Sequence, residues 1–135
     1  MILILSFPTK KSRSMGHYAK VEDSIVVAVI VADQEFVDTQ DGAWIQTSYN
    51  TRGNKHFGPD GLPDGGVALR GNFAGTGSFY DADRDAFYRR TPDYPSWLLD
   101  ETSLTWEPPV PRLDDRDGYK QFWSEEALCW VEEEI

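Results

Sequence analysis

The chain has 135 residues, with 13 lysines and arginines against 23 aspartates and glutamates, so its formal net charge is −10. This length suits one domain with enough hydrophobic core to fold without disulfides, and the single cysteine, Cys129, excludes an internal disulfide framework. The negative charge argues against nucleic acid and anionic membranes as partners, because both require clustered basic residues. No apolar run reaches the roughly 18 residues of a membrane span.

Residues 1–14 (MILILSFPTKKSRS) differ in character from the rest of the chain. Their basic residues follow the apolar run, which is the wrong order for a secretory signal peptide. Met15 opens a new alternating segment, so we interpret residues 1–14 as an extension upstream of a natural start at Met15. An arm that docks on a partner is the alternative. Without these residues the domain has 10 basic and 23 acidic residues, a net charge of −13.

Two β-branched segments open the domain. His17–Val21 and Ser24–Ala32 are separated by two acidic residues and predict a hairpin, and the second segment is apolar enough for a largely buried strand. Residues 33–40 predict one or two helical turns at most. After a turn at Asp41-Gly42, Trp44–Tyr49 predicts a third strand.

A long loop rich in glycine and proline follows. Residues 53–77 contain eight of the eleven glycines and repeated Asp-Gly turn signals. Ordered loops of this kind often form the surface that a partner contacts. We therefore expect the 50–66 loop to be the main binding surface, through Arg52, Asn54, Lys55, His56, Phe57, Pro59 and Asp60.

The C-terminal half contains an internal repeat. Three ten-residue blocks, 79–88, 98–107 and 122–131, each begin with two apolar or aromatic residues and have an aromatic residue at the ninth position. The pattern predicts short hairpins with cross-strand aromatic pairs and acidic turns. In the last block a helix capped by Ser124 is the alternative, but its alignment with the other blocks favours a hairpin.

These elements predict a mostly β fold of consecutive short antiparallel hairpins around one aromatic-rich core, with little helix. Most aromatic residues are expected in that core. Tyr94, Trp97 and Trp123 are also candidates for an exposed platform that stacks on a sugar or contacts a protein.

No pattern indicates an active site, a metal or a cofactor. Residues 81–85 (DADRD) alternate like calcium ligands, but the EF-hand pattern fails because Ala86 and Pro92 stand at its sixth and twelfth positions. A solvated acidic turn is the better interpretation. Neither His17 nor His56 has the neighbouring ligands of a zinc site or a nucleophile motif. We therefore predict a non-enzymatic protein with no cofactor and no metal.

From Met15 onward the chain resembles a family of small, uncharacterised proteins of tailed phages that infect cyanobacteria and other aquatic bacteria. The matching segments are HYAKVEDSIVVAVIVAD, WIQTSYNTRGNKHFG, GLPDGGVALRGNFAGTGSFYDADRDAF, YPSWLLDETSLTWEPPVP and the aromatic block that ends at Trp130. Residues 1–14 depart from the pattern. The resemblance implies location in the virion or the host cytoplasm, hairpins similar to pieces of tail-fibre proteins, and no catalytic or ligand residues.

On these grounds we expect a phage protein that acts by protein–protein contact, as a virion accessory component of the capsid surface or tail. Its partner would be a phage capsid or tail protein. One alternative is a carbohydrate- or host-surface-binding module of the adsorption apparatus. Another is an intracellular phage factor that binds a host protein. We expect no nucleic acid and no membrane insertion, and homo-oligomerisation stays open.

Overall fold

The computed structural model describes residues 15–135 and is mostly β, with 41% strand and 4% helix, which confirms the predicted fold class. The interpretation of residues 1–14 as an upstream extension lies outside the described residues. In chain order the elements are β1 (Gly16–Glu22), β2 (Ile25–Ala32), α1 (Gln34–Asp38), β3 (Ala43–Thr47), β4 (Thr51–Arg52), β5 (Lys55–His56), β6 (Phe79–Asp81), β7 (Ala86–Tyr88), β8 (Leu98–Asp100), β9 (Thr105–Glu107), β10 (Tyr119–Ser124) and β11 (Cys129–Glu134).

The opening hairpin belongs to a five-stranded antiparallel sheet with the strand order β3-β1-β2-β6-β7. β1 and β2 are joined by a two-residue turn in which Asp23 and Ser24 have positive φ angles of 52° and 68°. Turns of this kind match the twist of paired strands and usually contain glycine. Because neither residue here is glycine, the turn stores backbone strain. β6 joins the sheet by pairing with β2 through Ile25 and Phe79.

Apolar packing covers both faces of this sheet, because neighbouring residues such as Tyr18 and Ala19 point to opposite faces of a strand. The cluster on one face contains Ala19, Val26, Ala74 and Phe87, each at most 1% exposed. The cluster on the other face contains Tyr18, Ala32 and Val37. Packing on both faces accounts for part of the apolar sequence of β2. Val27 and Val31 are nevertheless 42% and 58% exposed, so β2 is half-buried and the prediction of a largely buried strand is wrong.

α1 is a five-residue helix, as short as its sequence predicts. Its N-cap is Asp33, whose carboxylate accepts a hydrogen bond from the backbone N–H of Phe36 at 2.8 Å. The helix places Val37 against the sheet and leaves Phe36 half-exposed. No helix among residues 15–135 is long and apolar enough to cross a membrane.

The three repeat blocks fold as three hairpins with one shared register, which confirms the predicted hairpins and excludes the helical alternative for the last block. The outermost pairs of the blocks are Phe79 with Tyr88, Leu98 with Glu107, and Phe122 with Val131. In each block three residue pairs flank a four-residue turn. The last residue of each turn has a positive φ: Asp85 (51°), Leu104 (58°) and Leu128 (54°).

The third residue of each block fixes the turn. The side-chain oxygens of Asp81, Asp100 and Ser124 accept hydrogen bonds from backbone N–H groups of their own turns, at 2.8 to 3.2 Å. Short oxygen-bearing side chains commonly satisfy turn amides in this way. The repeat in the sequence therefore encodes both the register and the turn.

The three hairpins differ in what surrounds them. The β6–β7 hairpin extends the five-stranded sheet, whereas β8–β9 and β10–β11 are two-stranded. The β8–β9 hairpin is attached through the Asn72 amide, which donates to the carbonyls of Phe87 and Leu104. The β10–β11 hairpin packs its aromatic residues against Trp97.

Candidate functional site

The predicted binding loop, residues 50–66, begins with a small hairpin. β4 and β5 are joined by Gly53 and Asn54, which have positive φ angles of 58° and 60°. Glycine and asparagine are the residues that tolerate this conformation best. The Asn54 amide donates to the carbonyl of Thr102 at 3.0 Å. Asn54 therefore anchors the loop to the β8–β9 hairpin.

Arg52 is fixed by a neighbouring ring. Its guanidinium lies 3.6 Å from the ring centroid of Phe57, close enough for a cation–π interaction. Arg52 forms no ion pair within the described part of the chain, so its positive charge is not neutralised by a carboxylate. Lys55, which directly follows the turn, is likewise exposed and unpaired within residues 15–135.

His56 and Asp64 close the base of the loop. The Nδ1 atom of His56 lies 2.7 Å from a carboxylate oxygen of Asp64. The hydrogen bond with His56, followed by one from the backbone N–H of Gly66, lowers the pKa of Asp64. Within the described residues no serine, threonine or cysteine is hydrogen-bonded to this pair. It consequently lacks the nucleophile that an acyl-transfer site requires.

The tip of the loop is ordered by its own backbone. The N–H of Gly58 donates to the carbonyl of Leu62, and the N–H of Leu62 donates to the carboxylate of Asp60. Pro59 and Asp60 are exposed, and Leu62 is 62% exposed. The tip thus presents apolar surface on a fixed backbone.

The three aromatic residues that the sequence singled out form part of a tryptophan cluster, which contains Tyr94, Trp97, Trp123 and Trp130. The Trp97 and Trp123 rings meet edge to face, with centroids 6.1 Å apart and an interplanar angle of 83°. Trp123 is only 5% exposed. No hydrogen bond, ion pair or ring contact among residues 15–135 joins this cluster to the 50–66 loop. The predicted site residues therefore lie in two separate groups.

A cleft of about 360 Å³ lies between the loop hairpin and the β8–β9 hairpin, and we call it the aromatic cleft. Its apolar walls are Phe73, Tyr88, Leu104 and Trp106, and its charged residues are Arg52, Arg89 and Asp93. The Trp106 indole donates to the backbone carbonyl of Arg89 at 2.8 Å, which fixes one wall. Of the residues predicted from the sequence, only Arg52 lines this cleft.

A second cleft of about 420 Å³ adjoins the first, and we call it the arginine cleft. It is lined by Thr76, Gly77, Ser78, Arg89, Arg90 and Thr91, without any acidic residue. Ser78 and Arg89 line both clefts. Arg89 and Arg90 are the only adjacent basic residues between positions 15 and 135, and this pair is the sequence signal that could have indicated the site.

The acidic turn of the first block forms hydrogen bonds within the protein instead of facing only solvent. Asp81 is 8% exposed and accepts hydrogen bonds from the Tyr88 hydroxyl and the Arg84 guanidinium at 2.7 and 2.6 Å. Burial raises the pKa of Asp81, but these hydrogen bonds outweigh burial and lower it overall. Arg84 also pairs with Glu101. The expectation of a solvated turn is therefore wrong for Asp81.

The other aspartate of that turn with a strong partner is Asp85. Hydrogen bonds from the Tyr80 hydroxyl and from Arg70 lower its pKa. No group of three histidine, cysteine or acidic side chains in residues 15–135 is arranged to hold a metal ion. The carboxylates of Asp81 and Asp85 are instead used in internal hydrogen bonds.

No protein-family model matches the chain, and neither does any curated protein or solved structure. The candidate site consequently stands on its own geometry: an ordered exposed loop and two adjoining clefts beside it.

Proposed function

We propose that the protein acts by binding another protein, as an accessory component of a phage virion. The observation that supports this proposal is that the 50–66 loop is exposed and yet ordered by hydrogen bonds within the loop. Binding through a preformed surface avoids the entropic cost of ordering a flexible segment. The phage setting comes from the resemblance of the sequence, and the contact surface from the loop.

Exposed apolar side chains continue beyond the loop tip. Leu62 is 62% exposed and Val67 is 80% exposed. Val67 shares a shallow cleft of about 360 Å³ with Met15, Tyr49 and Leu69. Exposed apolar side chains on an ordered backbone are available to contact a protein partner.

The tryptophan cluster supports the carbohydrate alternative less well. Stacking on a sugar requires an exposed ring face, whereas Trp97, Trp123 and Trp130 contact one another through their rings. The Trp123 indole also donates to Glu125, which holds that ring in place. We therefore place the contact surface at the loop.

Mass spectrometry of purified particles tests the proposal. We expect the protein in the particles, and amine cross-linking should join Lys55 of the loop to a capsid or tail protein. Lys55→Arg should remove that cross-link, whereas Lys120→Arg on β10 should leave it unchanged. Absence from particles, or cross-links that persist in Lys55→Arg, would overturn the proposal.

A pair of surface variants tests the loop itself. Leu62→Asp should lower the amount of protein retained per particle at least about tenfold, the effect of about 1.4 kcal/mol of lost binding. Leu113→Asp, at a residue that is 46% exposed outside the loop, is the control. Both variants should unfold within about 0.5 kcal/mol of the wild type, as is usual for surface substitutions. Equal retention of both variants would contradict a role for the loop.

A further inference from the structure

Two arginines of residues 15–135 lack a carboxylate partner, and each of them lines one of the two clefts. Most arginines of the domain are paired: Arg70 with Asp85, Arg84 with Asp81 and Glu101, Arg89 with Asp93, Arg112 with Asp115, and Arg116 with Glu132. Within residues 15–135, Arg52 and Arg90 have no such ion pair. Arg52 lines the aromatic cleft and Arg90 lines the arginine cleft.

This placement is unusual in so acidic a protein. Residues 15–135 contain 23 acidic and 10 basic residues, so carboxylates outnumber basic side chains by more than two to one. With such an excess, most arginines are expected to form an ion pair. An arginine without a carboxylate partner keeps its N–H groups available to bind an anionic group with paired hydrogen bonds. The hydroxyl residues Thr76, Ser78 and Thr91 line the same cleft and supply further donors.

The aromatic cleft favours a ligand that also carries an apolar group. Trp106, Tyr88 and Phe73 give it ring surfaces, and the hydrogen bond from Trp106 to the Arg89 carbonyl fixes the wall that it shares with the arginine cleft. A fixed apolar cleft takes a side chain without reorganising, and such pockets hold the anchor residues of protein contacts. The ligand therefore combines an apolar or aromatic group with an adjacent anionic group.

We propose that the two clefts form one binding site for a partner peptide segment that carries an aromatic side chain beside acidic side chains. The aromatic side chain enters the aromatic cleft, and the carboxylates bind Arg52 in that cleft and Arg90 in the adjoining arginine cleft. This inference rests on the proposed protein-binding function and specifies the chemistry of the partner.

The test is a titration of the full chain with the peptide acetyl-Glu-Asp-Phe-Glu-Asp-amide, followed by NMR of the five tryptophan indole N–H signals. We expect saturable shifts of the Trp106 signal, because Trp106 forms a wall of the aromatic cleft. The Trp44 signal is the internal control, since that indole donates to the Asp41 carbonyl and Trp44 packs in the cluster with Tyr18. No saturable Trp106 shift up to about 5 mM peptide, the weak end of measurable affinity, would overturn the proposal.

Two matched variants test whether the positive charge of Arg90 binds the acidic peptide. Arg90→Gln removes an exposed, unpaired arginine and should weaken the peptide at least about tenfold, as expected for a lost charge-assisted hydrogen bond. Arg112→Gln removes an arginine that lines neither cleft and should bind as the wild type does. Equal loss in both variants would show that only overall charge matters and would overturn the site.

Altered ligands separate the two halves of the site. A peptide with alanine in place of phenylalanine should bind at least about tenfold more weakly, because it leaves the aromatic cleft empty. A peptide with lysines in place of the acids should not bind. Shifts with inorganic phosphate but not with the acidic peptide would overturn the peptide proposal in favour of a phosphate ligand. If the peptide fails while cross-linking still places Lys55 against a virion protein, the partner chemistry is wrong and the proposed function stands.

Discussion

The first and last repeat blocks have the same local structure in very different surroundings. Both have three residue pairs around a four-residue turn that ends in a residue with positive φ. In the first block the ninth residue, Phe87, belongs to the five-stranded sheet and is fully buried in the apolar cluster on one of its faces. In the last block the ninth residue, Trp130, is half-buried in the tryptophan cluster. The turn sequence therefore determines the hairpin, whereas neighbouring segments determine how much each hairpin contributes to stability.

The largest effect should come from truncating the ninth position. Phe87→Ala should lower the free energy of unfolding by about 3–5 kcal/mol, because it leaves a cavity in the core of the sheet. Trp130→Ala should cost about 1–3 kcal/mol, since part of that ring already contacts solvent. Urea unfolding of both variants measures the difference. Equal costs would show that the two hairpins are equivalent and would contradict the comparison.

The third position should show a graded effect. Asp81→Ala should cost about 2–3 kcal/mol, because it removes the bonds to Tyr88 and Arg84 together with those to the turn. Asp100→Ala loses bonds to its turn alone and should cost less, and Ser124→Ala, which loses one bond to its turn, should cost less again. Thermal unfolding of the three variants checks this order.

The buried tyrosine of the first block gives the protein an alkaline limit. Burial, followed by the hydrogen bond to Asp81, raises the pKa of Tyr88 to about 12 from its ordinary value of 10.0. The unfolded chain therefore loses this proton first, and the Tyr88 contribution to stability is present below pH 10 and is lost between about pH 10 and 12.

Tyr88→Phe should remove that part of the alkaline decline. Denaturant unfolding between pH 8 and 12 measures it as a flatter stability curve than that of the wild type, starting from a lower stability at pH 8. Tyr49→Phe, at a residue that is 65% exposed, should keep the wild-type slope. An unchanged slope in Tyr88→Phe would mean that folding does not raise the pKa of Tyr88.

The smallest effect should be a gain in stability. Leu128 is 50% exposed and has a φ of 54°, a conformation that costs a residue with a β-carbon about 1–2 kcal/mol. Leu128→Gly should therefore stabilise the protein by about 0.5–1 kcal/mol. The rest of the relieved strain is offset because glycine increases the conformational entropy of the unfolded chain. The matched change Asp85→Gly should destabilise it, because Asp85 binds Arg70 and Tyr80. Changes in melting temperature of opposite sign, an increase for Leu128→Gly and a decrease for Asp85→Gly, would confirm the contrast.

The local features of the fold were readable from the sequence because neighbouring residues determine them. The block boundaries matched the outermost residue pairs of β6–β7 and β8–β9, since the pattern of apolar residues and turn residues lies within ten positions. The β10–β11 hairpin continues three pairs beyond its block, to Tyr119 and Glu134. The length of α1 and the opening hairpin followed for the same reason.

The assembly of the site was not readable, because it depends on residues far apart in the chain. The Asn54 amide binds the carbonyl of Thr102, 48 positions away, and the Asn72 amide binds the carbonyl of Leu104, 32 positions away. These contacts bring the loop and the β8–β9 hairpin together and create the aromatic cleft. The separation of the tryptophan cluster from the loop depends on the same long-range packing.

The pairing of Ile25 with Phe79 has a consequence for how the chain folds. Each repeat hairpin closes a loop of a few residues, and isolated hairpins of this size form within microseconds. Joining β6 to β2 closes the much longer segment between Ile25 and Phe79. The conformational entropy of that segment is lost before the new contacts compensate for the loss. We therefore expect the rate of folding to be set by the docking of the first repeat hairpin onto the opening hairpin, with the turns already formed.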